Sequence, residues 1–190
     1  MKIKLVLVFF GIILWTSINA QNQHLQFWNT LKKYCNTAFE GEIQGASASD
    51  TAFAGKKLVM HVRSCEENII KIPFFVGNDS SRTWVLTLLE DGILLKHDHR
   101  HEDGSPDQIT MYGGKTSNIG SANRQIFPAD QETANLLPAA IGNVWWIDLF
   151  QDDYFSYNLR RVNTDRVFSV KFNLKNSMSP LPGKPWGWKD

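Results

Sequence analysis

Few cysteines, little net charge and no long apolar run beyond its first residues mark this chain, and each shortage excludes something. Only two cysteines occur in 190 residues. No Cys-x-x-Cys pair can form, so zinc-ribbon and thioredoxin-type redox motifs are out. Twenty Lys and Arg stand against 19 Asp and Glu, without the basic excess of a nucleic-acid binder. No apolar stretch reaches the ~20 residues of a spanning helix, so stable membrane insertion is not expected. Catalytic signatures are missing too. There is no Gly-x-Ser-x-Gly elbow, no His-Glu-x-x-His, no phosphate loop and no Gly-x-Gly-x-x-Gly. Repeats and low-complexity tracts are absent. What remains is a chain with 43% hydrophobic and 12% aromatic residues, the composition of a folded domain with a real core.

The first residues explain part of that apolar content. Met1-Lys2-Ile3-Lys4 is a short basic start, Leu5 to Trp15 an uncharged apolar run of 11 residues, and Thr16 to Ala20 a small polar exit. This is the layout of a secretory signal peptide over residues 1–20, cleaved after Ala20. A single domain over residues 21–190 is expected to follow, secreted or periplasmic. Residues 1–20 carry two lysines and no acidic residue, so the remaining 170 residues hold 18 basic and 19 acidic side chains. In an oxidising compartment Cys35 and Cys65, 30 positions apart, are expected to form one disulfide. Closing that loop contributes about 3.7 kcal/mol in the chain-entropy model.

Hydrophobic periodicity then changes once. Leu25, Trp28 and Leu31 follow helical spacing, broadened by Phe27, Tyr34 and Cys35, and predict a helix over residues 24–35. From Phe39 onward the period is two. Strands are predicted around residues 39–45, 58–63, 69–76, 84–89, 93–99, 108–112, 124–127, 144–150, 154–161 and 167–174. Asp91-Gly92 marks a tight hairpin. Pro73 marks an edge, bulge or bend. Gly113-Gly114 closes the 108–112 strand, and residues 129–137 read as a short helix stopped by Pro138. Phe168, Val170, Phe172 and Leu174 oppose Ser169, Lys171 and Asn173 in the cleanest alternation of the chain. The tail, with prolines at 180, 182 and 185, is expected to be extended.

So many short strands with hairpin-length links predict an all-β fold. The expected form is an antiparallel meander closed into a small β-barrel of about 8–10 strands with an N-terminal helix, because closure removes exposed edges. A β-sandwich is the alternative. The order of elements resembles that of calycin (lipocalin-like) barrels, although the Gly-x-Trp of the first lipocalin strand is absent. The stretch from His97 to Tyr112 and the ending Pro185-Trp186-Gly187-Trp188 also resemble segments of uncharacterised exported bacterial proteins, a likeness that implies no activity.

The chemistry-bearing segment runs from Lys96 to Asp107 and holds three of the five histidines. On one strand, His97 and His99 share a face and stand roughly 7 Å apart, a two-point grip for zinc, copper, nickel or iron. Asp98, Arg100, Glu102 and Asp107 are expected to form a polar rim patch. Asp103, Ser105 and Asp107 alternate like ligands of a calcium loop, but Gln108 stands where such a loop needs glycine, and a plain turn is the better reading. Trp84, Trp145, Phe155 and Tyr157 fall on strands and are candidates to line a cavity for a small apolar ligand. The sequence names no cofactor. Three functions follow in order: a small-ligand-binding barrel, a metal-dependent or acid–base enzyme centred on His97 and His99, and a surface interaction domain.

Overall fold

The first described element is a helix, and it seals one end of the molecule. The structure is a computed structural model and describes residues 23–48 and 50–188. The export signal expected at residues 1–20 lies outside them. Helix α1 occupies residues 23–32. Its buried stripe is His24, Phe27, Trp28 and Leu31, at helical spacing. Leu25, expected in that stripe, is exposed, so the face is turned by one residue. The helix stops three residues earlier than the periodicity predicts. Residues 33–36 form turns, and Asn36 takes a φ of 60°, which ends the helix and starts the first strand.

Among the described residues eleven strands follow, all antiparallel in one sheet. They are β1 (Thr37–Ala46), β2 (Leu58–Val62), β3 (Ser64–Cys65), β4 (Ile69–Val76), β5 (Asp79–Leu89) and β6 (Gly92–His99). Then come β7 (Tyr112–Lys115), β8 (Arg124–Pro128), β9 (Asn143–Phe150), β10 (Tyr154–Arg161) and β11 (Val167–Ser177). A short helix, α2 (Gln131–Leu136), lies between β8 and β9. The strand order is β7-β6-β5-β4-β2-β1-β11-β10-β9-β8, with β3 on β4. One continuous sheet decides for the barrel over the sandwich. The chain is an all-β, nearly closed antiparallel barrel with an N-terminal helix, a layout consistent with that of calycins.

The seam between β7 and β8 is closed by α2 rather than by a ladder. The Asp130 amide donates to the Gly113 carbonyl at 3.0 Å. The Gly113 amide donates to Thr133 Oγ1 at 2.7 Å, and that hydroxyl donates back to the Gly113 carbonyl at 2.7 Å. Asp130 also caps α2 by accepting from the Thr133 amide at 2.8 Å. Lys96 of β6 holds both Asp130 and Glu132 at 2.7 Å. The expected strand over residues 108–112 is corrected here. The ladder begins at Tyr112 and runs through Gly113-Gly114, because both glycines are needed inside it. A Cβ at Gly113 would collide with the Leu95 carbonyl, and one at Gly114 with the Pro128 carbonyl. Pro73 sits where β2 hands over to β3 along β4, between the pairs Met60–Phe74 and Ser64–Lys71. A missing N–H costs nothing at such an irregularity.

The strands fill the interior, and β11 buries Phe168, Val170, Phe172 and Leu174 as its pattern predicts. The helix closes the end at which β1 starts and the β5–β6 and β9–β10 hairpins turn. His24 Nδ1 donates to Gln125 Oε1 at 2.6 Å, and Gln23 accepts from the Ala122 amide at 2.7 Å. The Asp152 amide donates to the Tyr34 hydroxyl at 2.7 Å. The disulfide Cys35–Cys65 ties the end of this cap to β3, with Cα atoms 6.1 Å apart. The C-terminal tail runs without regular structure across the outside, its Trp186 amide donating to the Ser80 carbonyl at 3.0 Å. Trp188 is half-buried beneath Arg63 and Lys71, 5.3 and 5.7 Å from its ring centre. No helix among the described residues is long and apolar enough to cross a membrane.

Candidate functional site

The end of the barrel opposite α1 holds a cavity of about 180 Å³. Its wall is built by strand ends. Trp84, Tyr157 and Phe74 form a stack, with ring centres 4.4 Å apart between Trp84 and Tyr157 and 4.8 Å between Phe74 and Trp84. Phe53 and Phe168 add to this side, 4.6 Å apart. Beside it stands a second aromatic layer. The His97 ring lies 4.7 Å from Tyr112 at an interplanar angle of 13°, and 5.1 Å from Trp145. Each of these residues faces inward because strand side chains alternate. The 84, 97, 145 and 157 positions are the inward residues of four neighbouring or facing strands.

The polar groups in this wall are fixed by one another. His97 Nδ1 lies 2.9 Å from the Tyr112 carbonyl, which only accepts, so Nδ1 carries the proton. Nε2 therefore accepts from the Tyr157 hydroxyl at 2.6 Å. Burial pushes His97 down to about 3, which keeps the ring neutral. Burial pushes Tyr112 up to about 12 and raises Tyr157 well above the ordinary value. His99 Nε2 and the Tyr112 hydroxyl are 3.2 Å apart. His99 is held below the usual imidazole range, first by burial and then by the charge of Arg82.

Three arginines surround the mouth. Arg82 comes from β5, Arg161 from the end of β10 and Arg166 from the turn before β11, and all three line the cavity. Arg82 is paired with Asp79, and Arg166 with Asp50 at 2.6 Å. Arg161 Nε donates to Asn143 Oδ1 at 2.8 Å, its cross-strand neighbour on β9. Among the described residues no aspartate or glutamate lines the cavity.

The structure brings Trp84, Trp145 and Tyr157 together in the wall. Phe155 is placed deeper. It is fully buried, 6.1 Å from Trp84 on the core side, and does not reach the cavity. His97 and His99 both point into the cavity, on the shared face that alternation predicts. They are not joined by a third ligand: no group of three His, Cys, Asp or Glu side chains able to hold a metal ion occurs among the described residues. Both ring nitrogens of His97 are also already engaged.

The expected rim patch stands outside the cavity wall. Asp98 is on the opposite face of β6 from the two histidines, pairs with Arg100 at 2.9 Å and accepts from Thr110 at 3.2 Å. Glu102 is exposed. Asp107 accepts from the Ile109 amide at 3.0 Å, and Asp103 accepts from the Ser105 amide at 2.8 Å. These carboxylates shape the loop after β6. The groups that line the mouth in their place, Arg82, Arg161, Arg166, Asn143 and Tyr112, were not singled out by sequence. A signal existed for two of them. Arg82 is two residues before Trp84 and Arg161 four after Tyr157, on the same strand faces. Compared with protein-family models, with curated proteins and with solved structures, the chain gives no significant match.

Proposed function

We propose that this chain is an exported small-ligand-binding β-barrel, made as residues 1–20 of leader and one domain over residues 21–190, and that its ligand enters at the end opposite α1. One observation carries the reading: an aromatic cavity with inward polar groups at the one barrel end that α1 does not cap. Pockets that enclose drug-sized molecules run to roughly 300–1,000 Å³. A cavity of about 180 Å³ suits a smaller ligand. Stacked rings provide a flat apolar surface, and a few fixed polar groups would orient the guest. The enzymatic alternative has less support. A base near pH 7 is wanted for acid–base work, whereas His97 is held at about 3. A secreted or periplasmic setting agrees with the disulfide.

Native mass spectrometry of the freshly exported protein tests both halves. The expected result is a mass starting at Gln21 with a small molecule that leaves on collisional activation. Saturation-transfer NMR with indole, a neutral flat probe, is expected to show binding that a Leu159→Trp substitution in the cavity wall removes. Retention of Met1 refutes export. Absence of both a co-purifying molecule and indole binding refutes the ligand reading.

A further inference from the structure

We propose that the ligand of this cavity is a small flat organic anion, its carboxylate received by Arg161 and its body laid against the Trp84–Tyr157 stack. The inference rests on the ligand-binding reading above and adds the chemical class. Its first support is the charge of the wall. Among the described residues three arginines line the cavity and no carboxylate does. The two acidic partners, Asp79 and Asp50, hold Arg82 and Arg166 from outside the wall. The phenols of the wall add no negative charge at neutral pH, because burial pushes Tyr112 up to about 12 and Tyr157 well above the ordinary value.

Arg161 is the second support. Its Nε is fixed by Asn143 at 2.8 Å. Among the described residues it has no carboxylate within 4.0 Å, and its two terminal amino groups make no hydrogen bond. A guanidinium held by one edge presents the other in a set plane, and that edge matches the two oxygens of a carboxylate. Half-buried beside aromatic walls, it meets an anion where water screens the attraction less than on an open surface.

The third support is shape. Trp84 and Tyr157, stacked nearly parallel at 17°, set ring planes in the wall against which an aromatic or conjugated body would align. Cation, charge-free head and bulky chain are all less suited: the first meets three arginines, the second leaves Arg161 unused, and the third exceeds the space.

Isothermal titration with indole-3-carboxylate, indole-3-carboxamide and indole tests the inference on the full protein. The carboxylate is expected to bind at least about tenfold tighter than the isosteric carboxamide, as for a charge-assisted pair. That ratio should shrink as salt rises. In Arg161→Met the two affinities should come within about threefold of each other, and Arg161→Lys should restore part of the preference. Equal binding of carboxylate and carboxamide by the unaltered protein overturns the anion inference and leaves the cavity reading intact. Binding of none of the three overturns both. If Arg161→Met does not fold, the carboxylate-to-carboxamide ratio of the unaltered protein and its salt dependence decide alone.

Discussion

Acidifying the solution from about pH 7 to about pH 5 is expected to weaken the fold through His61, a side chain far from the cavity. His61 lies on β2, paired with Ala38 of β1. It shares the outer face with Val59, which packs with Ala38, Phe75 and Met178 in a separate small cluster. The Met178 amide donates to the Ala38 carbonyl at 2.8 Å, bringing the tail over this face. The ring is 1% exposed, and neither of its nitrogens has a hydrogen-bond partner. A charged ring there would have no acceptor among the described residues. Burial, and then the charge of Arg63, pushes His61 down from 6.5 to about 4. In that window the unfolded chain binds a proton that the folded chain refuses. Stability is therefore fully present above about pH 6.5 and falls as pH drops towards 4. One pKa unit is about 1.4 kcal/mol. The ring sits just beneath the surface, where solvent screening trims such effects, so a loss of about 1–2 kcal/mol by pH 5 is expected. His97 and His99 are shifted in the same direction, so the unaltered protein alone cannot isolate the effect. Urea unfolding of the protein and of His61→Leu, each at both pH values, separates it. The variant should lose about 1–2 kcal/mol less on acidification. An identical pH response in the two proteins refutes the assignment.

Two substitutions probe the interior and the site. Phe172 is fully buried and meets Phe74, Phe155 and Trp84 at ring distances of 6.0–6.3 Å. Phe172→Ala should cost about 3–5 kcal/mol in urea unfolding, and a loss under about 1 kcal/mol would mean the barrel collapses onto the space. Tyr157→Phe removes only the hydroxyl that His97 Nε2 accepts from at 2.6 Å. It should cost about 1–2 kcal/mol, the penalty of an orphaned buried acceptor, with the expected shift in the His97 ring resonances by NMR. Unchanged resonances would show that the two groups are not bonded.

The strands were legible because a barrel wall imposes period two over long runs. Val167 to Leu174 shows it best, and its exposed and buried residues alternate in the fold as they do in the sequence. The tight turn at Glu90-Asp91 before Gly92 was legible from local chemistry. Gly113-Gly114 was misread for the same reason. A glycine pair signals a turn locally, but here both residues are demanded by backbone that comes from Leu95 and Pro128. The helix stripe was turned by one residue because Leu25 is apolar in sequence while His24, polar, is the residue that Gln125 draws inside. In each case the deciding partner is distant in the chain.

The cavity follows the same logic, and it explains why the residues that line its mouth differ from the charged segment that stands out in the sequence. The segment from Asp98 to Asp107 is dense in charge because it is a loop whose carboxylates cap its own amides and pair its own arginine. Local density of charge reports local bonding. The mouth draws its charge from positions 82, 161 and 166, each of which looks like an ordinary solvated strand end. Inward and outward faces become equivalent to a sequence reader where a strand reaches water. In a barrel plugged at one end they are not equivalent. An inward arginine at the open end has a cavity below it, and an outward one has only solvent. Which of the two ends is open is set by α1, whose buried stripe occupies the opposite end. The placement of a helix at residues 23–32 therefore decides that Arg161, more than a hundred residues later, faces a cavity rather than a sealed core.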